Sequence, residues 1–126
     1  MPDFSVTSVN VPSRLFLNRC VVGAVPGQPY EPGGWELFAP VRPLYEAGDY
    51  AEAADRGRKL LAADPPYAAL FYNVACCESL AGETDQAIAH LRRAIELSER
   101  TRAFLDGDPD LDPLRQDPAF KELLAS

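Results

Sequence analysis

AGDYAEAA at residues 47–54 and AGETDQAI at residues 81–88 share Ala-Gly, then an acid, then an alanine at matching places. Position 81 against position 47 gives an offset of 34 residues. Glycine can hold the left-handed backbone that ends an α-helix, and Gly48 and Gly82 stand where such an end is needed. An acid then caps the next helix. Asp49 with Glu52 has the spacing of a capping box. Ala53 and Ala87 fall where two helices pass closely, so a larger side chain there would push the pair apart. The offset matches the length of one helix–turn–helix unit.

Apolar stripes on either side fit this reading. Ala53, Ala54, Gly57, Leu60 and Leu61 recur at i, i+3, i+4 spacing. Leu70, Phe71, Val74 and Ala75 make a second stripe, and Ala87, Ile88, Leu91, Ala94 and Ile95 a third. Asp64-Pro65-Pro66 is expected to stop one helix and start the next, because proline is tolerated in a first turn. Pro40 and Pro43 would break a helix running from Trp35 to Ala47, which is expected to start near Pro40 or kink there. Short connections make neighbouring helices antiparallel.

These features resemble the tetratricopeptide repeat. In a second unit, residues 68–101, the family's early aromatic falls on Phe71 and its following pair on Val74 and Ala75, while Gly82, Ala87 and Ala94 match directly. Leu91 takes the place of a usual aromatic. In a first unit, residues 34–67, Gly48, Tyr50, Ala53 and Pro65 match. Glu78, Thr84 and Glu99 depart from the pattern. Gly57 stands where a large residue would pack and costs about 1 kcal/mol of helix stability relative to Ala. The tail DPDLDPLRQDPAFKELLA resembles a segment that closes short bacterial repeat arrays. Asp108-Pro109, Asp112-Pro113 and Asp117-Pro118 each offer a capping acid with proline at the first helical position. Leu111, Leu114, Phe120, Leu123 and Leu124 can then cover the open end of the last helix pair.

The N-terminal zone differs. Phe4, Val6, Val9 and Val11, then LFLNRCVV, are rich in strand formers, and a hairpin alone is marginal in water. PGQPYEPGGWE follows as an extended connector. RCVVGAVPGQPYEPGGWE resembles the last strand and exit linker of a cupin barrel, but His90 is the chain's one histidine, so no cupin metal site carries over. The fold expected is mostly α: two helix–turn–helix units plus a C-terminal capping helix, preceded by a short β-hairpin or extended arm. The arm and linker take residues 1–35. The helical domain takes 36–126, with repeats at about 34–67 and 68–101 and a cap at 102–126.

Composition bounds the function. The 126 residues are 47% hydrophobic and 25% charged, with 19 acids against 12 bases and a net charge of -7. That balance disfavours nucleic acid and anionic membrane surfaces. MPDFSVTSVN lacks the basic start and long apolar stretch of a signal peptide, and LFLNRCVVGAV is too short to span a bilayer. Three cysteines give no disulfide framework, and adjacent Cys76 and Cys77 suit neither zinc nor a redox pair. Reduced thiols in a cytoplasm are expected.

Candidate chemistry is sparse. Asp106, Asp108, Asp110 and Asp112 alternate as in a calcium loop, but Leu111 and Asp117 stand where the glycine and bidentate glutamate should be. Helix capping accounts for them better. His90 reads as a solvated residue beside Arg92 and Arg93. Those two with Arg100 and Arg102 form a modest basic cluster, interleaved with Glu96 and Glu99. Cys76 has no histidine nearby to lower its pKa, and a thiol enzyme using Cys20 or Cys76 is the weakest reading. No catalytic residue, metal or cofactor is expected.

The resemblance implies a concave face built by the first helix of each unit. Trp35, Phe38, Arg42 and Tyr45 would line it from the first unit, and Ala69, Tyr72, Asn73, Cys76 and Leu80 from the second. Aromatic and arginine residues dominate interface energetics. The function expected is a non-catalytic protein–protein interaction module, a scaffold or adaptor that takes a peptide or partner helix in this groove. Two other occupancies stay open: the N-terminal segment filling the groove, and a homodimer through the N-terminal strands. The alternative function is the helical appendage of a truncated cupin-type small-molecule sensor.

Overall fold

The computed structural model describes residues 34–125. The expected N-terminal hairpin, Cys20 and the Pro/Gly linker up to residue 33 lie outside the described residues, whereas Gly34, Trp35 and Glu36, expected as the extended end of that linker, are helical. Helices and turns make up what is described, with no strand among these residues. No helix among them is long and apolar enough to cross a membrane.

The two prolines split the first helix in two. α1 (Gly34–Phe38) ends in a turn that carries Pro40, and α2 (Arg42–Glu46) restarts with Pro43 in its first turn, where a missing amide costs nothing. α3 (Tyr50–Leu61) runs back against them. α4 (Ala68–Leu80) and α5 (Thr84–Leu97) make the second hairpin.

The turns at Gly48 and Gly82 agree bond for bond. Their φ values are 84° and 83°. Asp49 N donates to Leu44 O at 2.9 Å and Glu83 N to Glu78 O at 2.8 Å, the long backward bond that closes a helix end. Gly48 N reaches Tyr45 O and Gly82 N reaches Ser79 O, both at 3.1 Å. Ala53 and Ala87 are fully buried.

Two details differ from the sequence reading. Asp49 sits at the N-cap of α3, but its side chain makes no capping bond, so the capping box does not form; φ -84° and ψ 64° keep its carboxylate off the helix amides. Pro65 and Pro66 lie in the loop rather than in a first turn, because α4 begins at Ala68 after Tyr67. In that loop Asp64 takes φ 51°. Arg93 holds it with a two-pronged bond, Nε to Oδ1 at 3.0 Å and Nη2 to Oδ2 at 2.9 Å.

Gly57 lets α3 and α4 close. A Cβ there would stand 2.8 Å from Val74 Cγ2, so the position has no space for the large residue that the repeat pattern led us to expect. The residues after α5 fold back over the two hairpins. A 3₁₀ turn, Glu99–Thr101, leads into α6 (Arg102–Leu105), then a 3₁₀ helix, Pro109–Leu114, and α7 (Pro118–Ala125). Asp108 caps the 3₁₀ helix through Asp110 N at 2.9 Å, and Asp117 accepts from Ala119 N at 2.8 Å. Asp112 caps nothing. Pro113 lies inside the 3₁₀ helix and Asp112 pairs with Arg115 instead. Leu111, Leu114, Phe120 and Leu123 are buried, whereas Leu124, expected with them, is exposed.

Candidate functional site

α4 is buried nearly all round, and each of its faces meets a different neighbour. Successive residues of an α-helix turn by about 100°. Phe71, Ala75 and Glu78 therefore share one face, turned to α5, where Phe71 and Glu78 meet His90. Leu70 and Val74 share another, against Gly34 and Gly57. Tyr72, Cys76 and Ser79 make a third, and Asn73 falls on the strip between the last two.

The third face is taken by the chain's own tail. Tyr72 Oη donates to Asp108 Oδ2, and Ser79 Oγ donates to Asp110 O at 2.7 Å. From α2, Tyr45 Oη donates to Asp110 Oδ2 at 2.5 Å. Cys76 Sγ lies 3.9 Å from Asp108 Oδ2, a weak contact. Asp108 and Asp110 are thus buried carboxylates, each received by a tyrosine, rather than members of a solvated acidic run. Burial is the first cause that pushes the Tyr72 hydroxyl above its ordinary value, with Cys76 next and then its bond to Asp108, so it stays a donor.

The structure brings together most of the residues expected to line the groove. Phe38, Tyr45, Tyr72, Asn73 and Cys76 are all buried. Trp35 lies in α1, and Leu80 is partly buried against the core. Arg42 stands apart, bonded along its own helix to Glu46 at 2.8 Å. Tyr45, Tyr72 and Cys76 are therefore the inner wall of a face that Asp108–Leu114 already covers, not an open surface. Sequence reasoning treated Asp108 and Asp110 as caps only. Their alternation with Pro109 and Leu111 carried no sign of which helix they would meet.

Asn73 is the exception within this wall. Its side chain is fully buried, yet neither Nδ2 nor Oδ1 has a hydrogen-bond partner. Leaving a buried amide unpaired costs on the order of 1–3 kcal/mol per group.

A second polar cluster lies on the far side of α4. Glu78, fully buried, accepts from Arg58 Nη1 at 3.2 Å and faces His90 Nδ1 at 2.7 Å. Arg58 also donates to Glu83 at 2.5 Å. Arg58 from α3 and His90 from α5 thus bind neighbouring helices to the carboxylate that replaces an aromatic of the repeat pattern. His90 is half-buried and paired, which corrects its reading as a solvated residue. The expected basic cluster is also divided among acids, Arg93 with Asp64 and Glu96, Arg102 with Glu99.

The thiols are poor nucleophiles. Burial pushes Cys76 well above its ordinary range, aided by Asp108 and Asp110, and raises Cys77 to about 12. Among the described residues no group of three or more His, Cys, Asp and Glu could hold a metal ion. In comparisons with known proteins, no family model, no curated protein and no solved structure matches the chain.

Proposed function

We propose that the chain is a non-catalytic protein–protein interaction module of tetratricopeptide type, which takes a peptide or partner segment in the groove between α2 and α4. The observation that carries this reading is the Asn73 side chain: a donor and an acceptor held in the groove wall with nothing in the described chain to satisfy them. A bound segment with peptide groups supplies both partners. The acidic balance of the chain favours a protein partner over nucleic acid.

The test compares wild type with Asn73→Leu, a change of similar size. Replacing an unpaired buried amide by an apolar side chain should raise stability by about 1–2 kcal/mol. The same change should remove the partner. Immobilised wild-type chain and the variant are incubated with native lysate, and the captured proteins are compared by mass spectrometry. A more stable variant that captures the same proteins in the same yield would remove the groove as the binding site.

A further inference from the structure

The tail that covers the groove is held there by chemistry another chain could supply. Its ties to the wall include two tyrosine hydroxyls on two carboxylates, a serine on a carbonyl, and the buried side chains of Leu111 and Leu114. It also holds its own shape. Asp108 Oδ1 accepts from Asp110 N at 2.9 Å, and Arg115 grips Asp108 O and Asp112, both at 2.8 Å. Exposed residues flank it, Asp106 and Gly107 before and Gln116 after, and a Cβ on Gly107 would meet nothing. An internally braced segment between two open joints can lift as one body, parting the bond from Arg115 to Leu105 O (3.1 Å) as it goes. The unpaired Asn73 directly follows Tyr72 in α4.

We propose that Asp108–Leu114 is a displaceable occupant of the groove, and that the partner segment replacing it is an acidic peptide with two aspartates two residues apart and a leucine after the second. The inference rests on the groove reading above and adds to it a partner chemistry and a means of control. A tethered occupant competes at an effective concentration of about millimolar, so a free peptide binds well only after the latch is loosened. Asparagine at both acids loosens it, because a neutral acceptor makes a weaker bond than a carboxylate.

The experiment uses the full chain. Hydrogen exchange on wild type compares the amides of Asp110 and Leu111 with those of Val74–Glu78 in α4. The tail amides should exchange at least tenfold faster, by local opening. The probe is a fluorescein-labelled peptide of residues 106–116, DGDPDLDPLRQ. It should bind the Asp108→Asn, Asp110→Asn double variant at least tenfold tighter than wild type, and the same peptide with asparagine at those two places should not bind. Tail amides exchanging in step with α4, a double variant that fails to fold, or a peptide binding the two chains equally would each overturn the latch. None of these outcomes touches the Asn73→Leu comparison, which reads partner recovery rather than tail movement.

Discussion

Gly57 faces the two methyl groups of Val74, and a Cβ there would stand 2.8 Å from one and 3.2 Å from the other. Two effects oppose each other in Gly57→Ala. Alanine gains about 1 kcal/mol of helix propensity. Forcing a methyl against a stiff, β-branched neighbour costs about 1–3 kcal/mol. The clash should win, for a net loss of up to about 2 kcal/mol by urea unfolding. Val74→Ala in the same chain should return most of it, and a double-mutant cycle showing no coupling would refute the contact. The sequence marked Gly57 as odd, since it stands where a large residue would pack, but not as necessary, because Val74 lies on another helix. Glu78 and His90 illustrate the same limit. Glu78 departs from the repeat pattern and His90 reads as a solvated residue, and only their meeting across two helices explains either.

At the scale of elements, the hairpin turns were the most legible feature. A positive φ at a helix end is a local demand that only glycine meets easily, so it leaves a mark in the sequence. Nothing lies within 4 Å of a Cβ at Gly48 or Gly82, so an alanine there suffers from its backbone conformation alone. Gly48→Ala and Gly82→Ala should each cost about 1–2 kcal/mol and by similar amounts, as matched turns require. Thermal unfolding of the two variants side by side checks this; a large cost at one and none at the other would break the equivalence. The division of the first helix into α1 and α2 was equally legible, because prolines act on their own backbone. The tail was not. Alternating Asp and Pro allow caps at three places, and the chain uses two of them while turning Asp108 and Asp110 inward to tyrosines of other helices.

Over the whole molecule, the buried protons set the response to alkali. Cys77 keeps its proton up to about 12 in the fold, whereas an exposed thiol loses it near 9.0. Cys76 and Tyr72 are raised in the same sense, first by burial. Between those limits unfolding releases protons, so the stability present below pH 9 falls as pH rises toward 12. The urea midpoint should therefore drop on going from neutral pH to about pH 10.5, and less in a chain carrying Cys76→Ala and Cys77→Ala. A flat midpoint would contradict the burial of these groups. Native chain should also resist iodoacetamide at Cys76 and Cys77 at neutral pH and react only once unfolded, as peptide mapping would reveal.

The fork of Arg93 on Asp64 joins the link between the hairpins to α5. That link carries two consecutive prolines, whose bonds most proteases cannot cut. With its left-handed residue clamped as well, the join becomes a poor protease substrate, although it is mostly exposed. Digestion of the folded chain should open it elsewhere first and leave both hairpins on one fragment.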